Sequence, residues 1–144
     1  MSRRRERLAR LRIPARADQL RRARAVVREA ARVAGCSPES IDLIVLAVDE
    51  ACANVIRHAY GPEGGGDIVL EVFRTPEDLC VRLTDFADPI DKSSIKPRDV
   101  DEVRPGGLGV HLIREIMDSF EFLEPIGTAG NVLEMRKRLS ACRP

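Results

Sequence analysis

The chain has 144 residues, 44% of them hydrophobic and 33% charged, with 24 Lys and Arg against 23 Asp and Glu for a net charge of +1. That length fits one domain that can bury a sizeable core without staples, and the composition is that of an ordinary globular protein. Asp42, Asp49 and Glu50 interrupt the most apolar run, which excludes a bilayer-spanning segment, and the basic N-terminus has no hydrophobic export signal.

Charge is unevenly spread: residues 1–34 carry 12 of the 24 Lys and Arg against three acids. A basic segment can read as a nucleic-acid footprint. This one holds no aromatic residue for base stacking, so the expectation is no direct nucleic acid. A solvated face or an acidic protein partner fits it better. Cys36, Cys52, Cys80 and Cys142 show no CxxC or metal-type spacing, and Cys52 and Cys80 fall in apolar stretches. A reduced, cytoplasmic protein with no membrane association is expected.

In chain order, residues 1–7 read as a flexible basic tail, followed by a single domain over 8–140. Leu8, Leu11 and Ile13 predict a short edge strand ending at Pro14. From Asp18 to about Ala34, Leu20, Ala23, Val27, Ala30, Ala31 and Ala34 recur at helical spacing. Asp18 can cap that helix and Gly35 can end it. Ser37 and Pro38 open a second helix, which Gly61–Pro62 breaks after Tyr60. DIVLEVF (67–73) and LCVRLTD (79–85) predict two strands joined at Thr75–Pro76–Glu77. Residues 86–105 show no period and contain Pro89, Pro97 and Pro105; a loop of that length commonly acts as a lid. Gly106–Gly107–Leu108–Gly109 then leads into a helical pattern at Val110, Leu112, Ile113, Ile116 and Met117. Two further strands, Ser119–Leu123 and Val132–Leu139, flank a glycine turn at 127–130. The order predicts an α+β two-layer sandwich, with helices on one face of a mostly antiparallel sheet.

The second helix carries the most information. Ile41, Ile44, Val45, Val48, Cys52, Val55, Ile56 and Ala59 predict burial along more than one face. Glu50, Asn54 and Arg57 stand at i, i+4 and i+7 and form a narrow polar stripe. Burying an unpaired amide costs roughly 2–7 kcal/mol, so such a stripe predicts a polar pocket floored by this helix. His58 is expected to be a packed, hydrogen-bonded histidine.

Glycines at 106–109 let backbone approach a ligand, and free N–H groups at a helix start favour an anion such as phosphate. There is no GK[ST] motif and no third glycine near Leu112, which removes the P-loop and Rossmann readings. Asp85 ends a strand at the mouth of the lid. It is either a turn residue or a carboxylate that accepts from the amino group of a purine.

EACAN, DFADPID and GGLGVHLIREIMD, in that order, resemble the N, G1 and G2 boxes of the GHKL ATPases. Within that superfamily the chain is most similar to the anti-sigma factor serine/threonine kinases of the RsbW and SpoIIAB type, over nearly its whole length. The resemblance implies the Bergerat ATP-binding fold, with ATP and Mg²⁺ as cofactors. It implies Asn54 as the Mg²⁺ ligand, Glu50 as the general base toward a serine hydroxyl and Asp85 as the adenine reader. Gly107, Leu108 and Gly109 would wrap the phosphates, and Arg57 would touch phosphate. It also implies a homodimer whose partners are a sigma factor and an anti-anti-sigma factor. Ala87 stands where the family usually has a glycine, with Asp88 after it, and this departure predicts weaker ATP binding. The alternative is a protein-sequestering module that binds nucleotide without kinase activity, or binds none. A detached sensor histidine kinase domain is disfavoured, because neither His58 nor His111 lies in a separate dimerisation helix.

Overall fold

A computed structural model describes residues 4–60, 65–88 and 107–143. Five strands form one fully antiparallel sheet in the order β1-β2-β3-β5-β4. These are β1 (Glu6–Pro14), β2 (Asp67–Arg74), β3 (Asp78–Asp85), β4 (Ser119–Leu123) and β5 (Asn131–Arg138). The helices are α1 (Leu20–Val33), α2 (Pro38–Asn54), α3 (Gly107–Ile116) and the short α4 (Leu139–Cys142). The α+β sandwich expected from the element order is the one found.

One face of the sheet presents Ile13, Ile68, Leu70, Val72, Leu79, Val81, Leu83 and Met135 to the helices, all buried. Alternation along each strand places these residues on a common side. Helix α1 adds Leu20, Ala23, Val27, Ala30 and Ala31, and α3 adds Ile113 and Ile116. Helix α2 packs against both α1 and α3, which is why its apolar residues are not confined to one stripe. Two ion pairs lace α1 to α2, Arg24–Asp49 and Arg28–Asp42, each at 2.8 Å. Much of the basic character of α1 is therefore answered within the chain.

The opposite face of the sheet is polar at its centre. Glu134 is 1% exposed and accepts hydrogen bonds from Arg5 (3.1 Å), Arg82 (2.9 Å) and Arg136 (2.8 Å). The Arg5 and Arg82 guanidiniums also lie over the Phe73 ring. Burial pushes the Glu134 carboxyl up, but hydrogen bonds and charge from Arg82, Arg5 and Arg136 outweigh it and hold the group below its usual range.

Several local expectations are corrected. Strand β1 begins at Glu6, so Glu6 and Arg7 belong to the sheet rather than to a tail, and Arg5 reaches Glu134. Asp18 does not cap a helix: it pairs with Arg16, and α1 is entered through a 3-10 turn at Ala17–Gln19. Gly35 does end α1, with φ +90°. The Ser37 hydroxyl accepts from the Ser40 N–H at 3.2 Å as Pro38 opens α2. Past Asn54 the helix widens into a π-helical segment, Val55–Tyr60. The final strand stops at Arg138, and Leu139 and Cys142 of α4 return to the core. Most of the expected lid lies outside the described residues.

Candidate functional site

Glu50 and Asn54 come from the last turns of α2, and Arg57 from the π-helical segment that continues it. The Arg57 guanidinium donates to Asn54 Oδ1 at 2.8 Å and stands 4.0 Å from Glu50 Oε2. The three groups thus form one connected unit, as their spacing predicts. Glu50 (32% exposed) and Asn54 are half-buried and Arg57 (43%) is exposed, so they can reach a ligand. His58 departs from expectation: within the π-helical segment it is exposed rather than packed.

Asp85 ends β3, in register with Asn131 at the start of β5. It is 3% exposed and accepts from Asn131 Nδ2 at 2.9 Å and from the Ala87 N–H at 3.1 Å. Burial drives its pKa above the ordinary aspartate range, although both donors pull the other way. Both bonds end on Oδ1, so Oδ2 is the oxygen that can be offered to a ligand. Asn131 Nδ2 also donates to the Asp88 carbonyl at 3.2 Å and so holds the turn after β3. The Gly130 N–H donates to the Asp85 carbonyl at 2.8 Å, and a Cβ at Gly130 would stand 1.7 Å from the Ala87 carbonyl oxygen. Only glycine lets β5 approach the turn this closely.

Tyr60 joins the two halves of the site. Its hydroxyl donates to the Asp67 carbonyl at 2.6 Å and accepts from the Phe86 N–H at 2.7 Å. The end of the α2 extension is thereby fastened to β2 and to the residue after Asp85. Gly66 is needed beneath the ring, since a Cβ there would lie 2.0 Å from it.

Gly107, Leu108 and Gly109 form the first turn of α3 rather than a loop before it, which places their backbone N–H groups at the helix start. The Leu108 side chain, like Gly106, lies outside the described residues. Ala87 sits at a backbone conformation that needs no glycine: among the described residues only Gly35, Gly65 and Gly127 have positive φ.

Sequence reasoning missed Asn131, Tyr60 and Gly130. Their roles depend on β5 lying beside β3 and on the end of α2 reaching β2 and β3. Neither neighbour relation is written in the local pattern.

An antiparallel sheet covered on one face by helices, with a polar unit on α2 and a buried aspartate at a strand end, defines the class of GHKL-type ATPases. Residues 13–137 match the family described as histidine kinase-like ATPase domain, and the chain belongs to that family, in its protein-kinase branch. Serine-protein kinase RsbW of Listeria monocytogenes serovar 1/2a is 35% identical, with 75% of this chain and 74% of that protein covered. Serine-protein kinase RsbW of Staphylococcus aureus strain bovine RF122 / ET3-1 is 30% identical, over 89% of this chain and 86% of that one. Among solved structures, the histidine kinase domain of the Erythrobacter litoralis EL346 blue-light activated histidine kinase has the same fold. The two are 21% identical with a TM-score of 0.52, and the match covers 89% of this chain and 62% of that one. Among the described residues no helix is long and apolar enough to cross a membrane.

Proposed function

We propose that this protein is a cytoplasmic anti-sigma factor and an ATP- and Mg²⁺-dependent serine/threonine protein kinase. In this reading it sequesters a sigma factor as a homodimer and phosphorylates an anti-anti-sigma antagonist of the STAS type. The observation that carries the reading is the connected Glu50–Asn54–Arg57 unit on the face of α2. Phosphoryl transfer asks for positioning, charge neutralisation and a carboxylate that orients the nucleophile, and this unit supplies groups of each kind.

Glu50 takes the proton from the serine or threonine hydroxyl as its oxygen attacks the γ-phosphorus, while the bond to the departing ADP oxygen breaks. Arg57 turns from Asn54 Oδ1 toward phosphate oxygens and offsets their charge. Asp85 Oδ2 accepts from the adenine amino group, with Asn131 and the Ala87 N–H holding the carboxylate in place. The N–H groups of Gly107, Leu108 and Gly109 receive the phosphates. The donor set suits Mg²⁺, which usually takes one or two protein oxygens and fills its shell with phosphate and water. Asn54 offers such an oxygen, and among the described residues there is no cluster of three or more His, Cys, Asp or Glu that would suggest an all-protein cage. Bound there, Mg²⁺ would neutralise charge developing on the phosphates.

Calorimetric titration with ATP, with and without Mg²⁺, tests the site. Asn54→Ala is expected to abolish Mg²⁺-dependent binding. Glu50→Gln is expected to bind ATP within a few-fold of wild type, yet to lose at least 100-fold in transfer to a protein acceptor. Equal loss of binding in both variants would contradict the assigned roles, and wild-type protein that binds no ATP at millimolar concentration would overturn the reading.

A further inference from the structure

Two cysteines that lie 106 residues apart in the sequence meet in the core. Cys36 follows Gly35 in the turn between α1 and α2, and Cys142 closes α4 at the end of the chain. Their sulfurs are 2.7 Å apart. The backbone holds them there: the Ser37 N–H donates to the Cys142 carbonyl at 2.7 Å, and the Cys36 N–H donates to the Ala31 carbonyl at 3.1 Å. The Arg143 side chain reaches back to the Ala34 carbonyl at 3.5 Å. Both cysteines are buried, Cys36 at 8% and Cys142 at 0% exposure, and neither belongs to the site built on α2 and Asp85.

We propose that Cys36 and Cys142 are a thiol pair that peroxide converts to an intramolecular disulfide, pinning the C-terminal helix to the α1–α2 turn. A movement of less than about 1 Å by either sulfur reaches the S–S bond length of roughly 2.05 Å. In the first step the Cys36 sulfur, the more exposed of the two, attacks one peroxide oxygen; the O–O bond breaks and water leaves. The product is a sulfenic acid on Cys36. The Cys142 sulfur then attacks the Cys36 sulfur, the S–O bond breaks, and hydroxide departs with the Cys142 proton as a second water. Two thiols lose two electrons in all, and one hydrogen peroxide is reduced to two waters.

Burial, followed by the hydrogen bond shared with Cys142, pushes the Cys36 thiol up to about 12, so little thiolate is present at neutral pH. Oxidation is accordingly slow and responds to sustained rather than brief peroxide exposure. In a compartment that is kept reducing the bond is transient. Its effect is on stability, since the closed loop takes in most of the chain and restricts the unfolded ensemble. Cys52 and Cys80 serve as internal controls, being buried free thiols as well.

The test treats the purified full-length chain with hydrogen peroxide, then denatures it, alkylates it and maps its peptides. The expected result is two of the four cysteines alkylated, Cys52 and Cys80, with a Cys36–Cys142 cross-linked peptide and a monomer-sized band on a non-reducing gel. The melting temperature should rise on the order of 10 °C and return on reduction. Cys142→Ser should leave the melting temperature unresponsive to peroxide. Four alkylatable thiols after prolonged treatment, a bond that involves Cys52 or Cys80, or a cross-link that does not raise the melting temperature would each overturn the proposal. Peptide mapping of the wild-type chain decides the matter even if the serine variant fails to fold.

Discussion

At the scale of single residues, Asp85 shows how recognition and stability pull apart. Its native pKa is raised, so the folded chain holds a proton there more readily than the unfolded chain does. Above the native pKa the buried charge exacts its full cost in stability; acidification through that value relieves the cost and removes the acceptor an adenine would need. Nucleotide affinity is therefore expected to fall on acidification at a pH above the usual aspartate range, as titrations at several pH values would reveal. Asp85→Asn keeps an Oδ1 for the Asn131 and Ala87 donors but replaces Oδ2 with an NH₂ group. It should melt no lower than wild type and bind ATP at least 10-fold more weakly; a large drop in melting temperature would show that the carboxylate is needed for the fold. Gly130→Ala is the converse case. Its added methyl meets the Ala87 carbonyl, so about 1–3 kcal/mol of stability should be lost and the turn carrying Asp85 displaced. Chemical denaturation measures the loss.

Among the elements, α2 matters most, and its two ends are held by different means. At its start, Ser37 caps the helix and Pro38 presets its first turn. At its end, the π-helical segment brings Tyr60 to the backbone of β2 and of Phe86, just after β3. Tyr60→Phe leaves the Asp67 carbonyl and the Phe86 N–H without that partner and is expected to cost about 1–3 kcal/mol. Because the same hydroxyl joins the Arg57 segment to the Asp85 turn, ATP affinity should fall with stability. A variant that loses stability but binds ATP normally would show that the two halves are aligned by other contacts.

For the molecule as a whole, the Glu134 cluster ties Arg5, which directly precedes β1, and Arg82 of β3 to β5 on the sheet face opposite the described helices. Its carboxyl has a lowered native pKa, so its contribution is complete above the unfolded-state pKa and is lost as pH falls through the native one. Acid unfolding should therefore include this group. Glu134→Gln leaves three guanidiniums close together without their shared counter-charge and should cost about 3–5 kcal/mol at neutral pH. The difference from wild type should shrink in acid, where wild-type Glu134 is itself protonated; denaturant titrations at neutral and acidic pH would test both points.

Much of this protein was determined by local pattern. The periods at Leu20–Ala34 and Ile41–Ala59, the alternation in DIVLEVF and LCVRLTD, and the Ser37–Pro38 and Gly35 signals gave the elements and their order. The spacing of Glu50, Asn54 and Arg57 put them on one helix face, because helical neighbours are set by the geometry of the turn alone. Tertiary structure decided what depends on distant pairing. It placed β5 beside β3, so that Asn131 and Gly130 support Asp85, and it set Tyr60 against Phe86. It gathered Arg5, Arg82 and Arg136 around Glu134 and brought Cys36 against Cys142. Strand neighbours are chosen by how the whole apolar face is buried, and no window of adjacent residues contains that information.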